Sequence, residues 1–126
     1  MKNRASFTVT LGLFLLIEGI WGFFSPVVFG VFSTNTLHAV IHLLLGAIGI
    51  FAGSFGRSQG YLFFVGLLLL VVGVLWFLSG ATELVVHLLN VNRAVAILNV
   101  VIGIVSLVLA RPASVSADST APFHQN

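Results

Sequence analysis

The run Leu67-Leu68-Leu69-Leu70-Val71-Val72 decides the fold class. Apolar and polar residues do not alternate in it, so it cannot be a strand of a membrane β-barrel, which needs that alternation over roughly ten residues. It also has no polar face to offer water. In hydrocarbon the backbone must satisfy its own amides, and a helix does so within one segment. Outward from this run the apolar character continues over residues 61–81, up to the polar loop Phe55-Gly56-Arg57-Ser58-Gln59-Gly60. That is about the twenty residues a membrane-spanning helix needs.

The rest of the chain has the same character. Of 126 residues, 59% are apolar and 6% charged, where a soluble domain carries about 25% charged residues. Mean hydropathy is +1.18. Five Lys and Arg with three Asp and Glu cannot cover a water-facing surface. The pattern predicts an all-α, antiparallel bundle of four transmembrane helices, at about 7–28, 37–54, 61–81 and 93–110, with the lipid bilayer as solvent. Residues 1–6 form a basic leader with Lys2 and Arg4, and residues 111–126 a polar, disordered tail. The first apolar run, broken only by Glu18, is too long for a secretory signal and no small-x-small cleavage site follows it. Ser25-Pro26 ends or kinks that helix, because proline disfavours helical geometry at the residue before it. Val27 to Phe32 reads as an interfacial turn or a frayed continuation. Ser33-Thr34-Asn35-Thr36 offers N-cap chemistry. The connector after the third helix holds Glu83, His87, Asn90 and Arg93, and its apolar middle, Leu84 to Leu89, extends that helix or lies in the interface.

With four spans, the central loop shares a side with both termini. Lys2, Arg4, Arg57 and Arg111 lie there, while the other side holds Arg93 offset by Glu83, so the positive-inside rule places both termini in the cytoplasm. The formal charge is +2, and no basic stretch is interleaved with aromatics as a nucleic-acid footprint requires. Without Cys, disulfides, thiolate metal sites and Cys nucleophiles are excluded. No phosphate loop, nucleophile elbow or paired carboxylates occur, and the chain reads as a non-enzyme without a cofactor.

Two internal matches occur in order. Gly12 to Phe24 aligns with Gly66 to Leu78 at a shift of 54, and Asn35 to Ile50 with Asn92 to Leu107 at a shift of 57. Identities include Gly12/Gly66, Gly19/Gly73, Asn35/Asn92, Ala39/Ala96 and Gly46/Gly103. The expectation is two tandem two-helix repeats related by a pseudo-twofold axis along the membrane normal. Small residues recur every seventh position on each helix: Ala5, Gly12, Gly19; Ala39, Gly46, Gly53; Gly66, Gly73, Gly80; Ala96, Gly103, Ala110. In lipid, helices associate by close packing, so these stripes mark contact faces.

The intramembrane polar cluster is Glu18, His38 and His42. The two histidines share a helix face at i, i+4, and Glu18 and His42 fall at overlapping heights. A carboxylate in hydrocarbon needs a partner, a cavity or a proton, and His42 is the expected partner. Glu18 aligns with Val72 and His42 with Asn99, so both ionisable groups are absent together from the second copy. The leading reading is a structural pair holding two helices together. One rival is a haem or metal electron-transfer site through His38, His42 or His87. The other is a small proton-coupled carrier using Glu18 and His42.

The segment Leu37-His38-Ala39-Val40-Ile41-His42-Leu43-Leu44-Leu45-Gly46-Ala47-Ile48-Gly49, with Gly19-Ile20-Trp21-Gly22-Phe23 closing the first helix, resembles a bacterial family of small four-helix membrane proteins. That family is catalogued only as a domain of unknown function, number four-three-eight-three. The likeness covers about residues 7 to 110 and includes the Arg-bearing central loop before a glycine-rich third helix. This chain departs at the start of helix four, which reads Asn92-Arg93-Ala94-Val95 and Asn99 where the family often has an acidic residue and a second histidine. The resemblance implies the fold and a bacterial inner-membrane location, and no activity. The expected role is a non-enzymatic accessory subunit that binds a membrane-protein partner or a second copy of itself.

Overall fold

The structure, a computed structural model, describes residues 2–112. Its elements in order are α1 (Lys2–Phe24), β1 (Val27–Val28), β2 (Phe32–Ser33), α2 (Thr36–Ser54), α3 (Ser58–Phe77), α4 (Thr82–Leu89) and α5 (Arg93–Ala110). Four of these helices, α1, α2, α3 and α5, are long and apolar enough to cross a membrane. The result is an all-α bundle of four spans, with one two-stranded ribbon and one short helix in its connectors. From residue 113 onward the expected tail lies outside the described residues.

Several boundaries differ from those the sequence predicts. α1 begins at Lys2, so the expected leader is helical from that residue on. It stops at Phe24, four residues short of Val28, because Pro26 denies Ser25 a helical backbone. The chain then folds back as a ribbon, with Val27 opposite Ser33 and Val28 opposite Phe32. Its turn places Phe29 at φ 54° and Gly30 at φ 72°. A left-handed backbone costs Phe29 roughly 1–2 kcal/mol, against which its ring packs on Trp21 with centroids 4.7 Å apart. α3 takes in Ser58, Gln59 and Gly60 from the expected loop and ends at Phe77 rather than Ala81. Leu78 is extended and Gly80 has φ 89°, so the helix cannot continue, and α4 forms separately. α4 closes on Asn90, which adopts the left-handed conformation of a C-cap.

The spans pair into two antiparallel hairpins, α1 with α2 and α3 with α5, each packed along its length. Small residues allow this. A Cβ on Gly46 would stand 2.5 Å from the backbone nitrogen of Leu16, and one on Gly12 would stand 2.7 Å from that of Ile50. Real Cβ atoms cannot approach backbone so closely, so the seam accepts only glycine at these points. The second hairpin repeats the arrangement. Gly12 faces Gly46 as Gly66 faces Gly103, and Gly19 faces Ala39 as Gly73 faces Ala96. Gly53 sits against Val9 and Ala5 at the far end of the first seam. Gly80, expected to extend the α3 stripe, lies beyond the helix end, where a Cβ would meet nothing within 4 Å; it serves the turn, not the packing.

Contacts between the two hairpins are fewer. Leu11, Leu15, Leu62, Val65 and Leu69 form a buried core where they meet. Large apolar side chains such as Leu44, Phe64, Val101 and Ile104 are exposed on the outer faces, as suits a hydrocarbon solvent.

Candidate functional site

Gly19 brings α1 so close to Ala39 and Leu43 of α2 that the neighbouring side chains, Glu18 and His42, meet. Glu18 Oε1 lies 3.3 Å from His42 Nδ1, with 5% and 9% of the respective side chains exposed. The pair is neutral overall whether the proton rests on the imidazole or on the carboxyl. That neutrality makes it tolerable in hydrocarbon. Among the described residues it is the single close contact between a carboxyl and a basic side chain.

His38 lies one helical turn nearer the connectors. Its ring meets that of His42 edge-on, with centroids 4.3 Å apart and planes at 71°. Its Nδ1–H donates to the carbonyl oxygen of Leu89 at 2.9 Å, which ties α2 to the end of α4. Asn99, buried on α5, completes the group from the other hairpin. Together with His38 and His42 it lines two small spaces, one of about 10 Å³ beside Glu18 and one of about 70 Å³ beside Val72. The first holds one water molecule at most, since a single water needs roughly 10–15 Å³. Both fall far short of the roughly 300–1,000 Å³ of a small-molecule pocket.

All three members of the expected cluster, Glu18, His38 and His42, are therefore brought together. His87 is not. It is exposed on α4 and lines an open groove with Glu83, Leu84 and Val86 that neither of the other histidines shares. Among the described residues, no three His, Cys, Asp or Glu side chains are grouped as a metal site requires. Tyr61, at the loop end of α3, is buried. Its hydroxyl donates to the Leu45 carbonyl at 2.6 Å. The ring fits only because Gly49 has no side chain, as a Cβ there would lie 2.6 Å from the phenol oxygen.

Sequence reasoning missed a polar plate joining the hairpins at their connector ends. Asn35 caps α2 by accepting from His38 N, and Asn92 caps α5 by accepting from Val95 N, both at 2.9 Å. Each then donates its Nδ2 across to the opposite connector. Asn35 reaches Leu88 O and Asn92 reaches Val31 O, again at 2.9 Å in both cases. Leu88 stands 57 residues after Val31, as Asn92 does after Asn35, so the two bonds are exchanged equivalents. Asn90 Nδ2 donates to Thr34 O at 2.8 Å, and the Ser33 hydroxyl donates to Asn90 O. The repeated asparagine at 35 and 92 was the available signal, but capping alone accounts for it at the sequence level.

Comparison with known proteins places residues 6–111 within a family model described as "Domain of unknown function (DUF4383)". No curated protein and no solved structure matches the chain.

Proposed function

We propose that this chain, which belongs to the DUF4383 family of unknown function, is a non-enzymatic accessory subunit of a bacterial inner membrane. One observation carries the reading. The Glu18 carboxyl and the His42 imidazole are spent on each other, at 3.3 Å, beside a space of about 10 Å³. Among the described residues the spaces these two side chains line are about 10 and 70 Å³, too small for a substrate, so the pair reads as a device that holds α1 and α2 in register. What remains for interaction is the outside of the bundle, including the groove on α4 lined by Glu83, Leu84 and His87. A membrane-protein partner or a second copy would dock on such a face.

Arg4, Arg57 and Arg111 lie at the end away from α4, which supports cytoplasmic termini under the positive-inside rule. The matched seams and the exchanged asparagine bonds support descent of the two hairpins from one duplicated unit. A carrier reading has one point in its favour, since Glu18, His42 and His38 form a continuous file toward the connectors.

Two measurements separate these readings. In vesicles loaded with a pH-sensitive dye, the protein is expected to leave proton leak at the level of empty vesicles. A flux that Glu18→Gln abolishes, with folding intact, would replace the accessory reading by the carrier. In cells, Glu83→Cys is expected to react with a membrane-impermeant thiol photocrosslinker added from outside and to trap one neighbour of discrete mass. Arg57→Cys is expected to remain unlabelled; labelling there would invert the orientation.

A further inference from the structure

Between α2 and α3, at the end that carries the loop Phe55–Arg57, an open groove of about 510 Å³ is walled by Leu45, Ile48, Phe51, Tyr61 and Phe64, with Arg57 at its mouth. We propose that this groove binds one anionic phospholipid, its acyl chain against the apolar walls and its phosphate against the Arg57 guanidinium.

The pseudo-equivalent crevice, between α5 and α1, shows why this one is open. There the Arg4 side chain crosses the gap, with Nε donating to Leu109 O at 2.7 Å and Nη2 to Arg111 O at 3.1 Å. The residue 54 positions after Arg4 is Ser58. Serine is too short to cross, and its buried hydroxyl has no hydrogen-bond partner. The α5–α1 crevice is thus bridged at its rim by the protein's own guanidinium, while the α2–α3 crevice is tied deeper down, by the Tyr61 hydroxyl on Leu45 O, and carries a cation at its unbridged rim.

The chemistry of the groove selects the occupant. No acidic residue lines it, and Arg57 is exposed without a carboxylate partner among the described residues. The site lies where a spanning bundle meets the headgroup layer, so a chain with a phosphate at one end and hydrocarbon below it matches both features. A volume of this size is typical of a ligand pocket. Gly60 forms part of the wall, and a Cβ there would meet nothing within 4 Å, so a larger side chain would fill the groove without disturbing the fold.

Native mass spectrometry of the full chain, released from micelles containing equal phosphatidylglycerol and phosphatidylcholine, tests this. The expected result is one retained lipid, with phosphatidylglycerol preferred about fivefold, the factor a single basic residue supplies near a membrane surface. Arg57→Gln should abolish the preference, and Arg93→Gln, at the opposite end, should leave it unchanged. Gly60→Leu should reduce retention of both lipids with thermal unfolding unaltered. Equal retention by the unmodified chain would overturn the proposal, as would a preference that survives Arg57→Gln. So would displacement of the lipid by excess inorganic phosphate, or a dimer that Gly60→Leu dissociates.

Discussion

The two hairpins share a seam and differ in almost everything set around it. In each, glycine meets glycine at mid-membrane, and glycine meets alanine one heptad toward the connectors. The first joins its helices through a two-stranded ribbon, the second through the short helix α4. The first places Glu18 against His42 beside its seam, and the second has Val72 and Asn99 at those positions. Among the described residues α3 and α5 pack along their length with no carboxyl–imidazole contact between them, so a hairpin of this kind closes without one. Under the proposed function the Glu18–His42 pair then has a part in choosing register and partner more than in net stability, as for other buried pairs that apolar residues can replace.

The largest effect should come from filling a seam. Gly46→Leu and Gly103→Leu each drive a side chain into backbone that cannot yield, and each should lose at least roughly 3 kcal/mol, the top of the usual range for overpacking. Equilibrium unfolding in mixed micelles measures both. Equal losses sustain the equivalence of the hairpins, whereas a tolerant Gly103 would break it. Smaller losses, about 1–2 kcal/mol each, are expected for Asn35→Ala and Asn92→Ala, which remove a helix cap and a cross-connector bond. A clear difference between these two would show that the connector bonds are not equivalent.

Spans and seams were legible because their physics is local. Twenty apolar residues such as those around Leu69 need no tertiary context to be read, and a seven-residue glycine period marks a face wherever it lies. The meeting of Glu18 with His42 followed from their heights on adjacent antiparallel helices. Gly80 shows where that reasoning fails, because the stripe continues in the sequence after the helix has ended. The ribbon at Val27 to Ser33 and helix α4 were not legible either. Both are short, and each is fixed by contacts with the other connector, such as Ser33 to Asn90 and Asn35 to Leu88. The burial of Tyr61 was not legible for a similar reason: an aromatic near a helix end suits the interface unless a glycine on another helix, here Gly49, opens a slot for it.

The smallest effect is also the most informative. Glu18→Val with His42→Asn writes the second hairpin's residues into the first, and a double-mutant cycle in micelles tests whether the two groups act as one unit. His42→Asn alone, leaving the carboxyl without its partner, should cost roughly 1–3 kcal/mol. The double replacement should lie within about 1 kcal/mol of the unmodified protein, well below the sum of the single losses. Strictly additive losses would mean that Glu18 and His42 do not contact each other in the membrane, and would contradict the account.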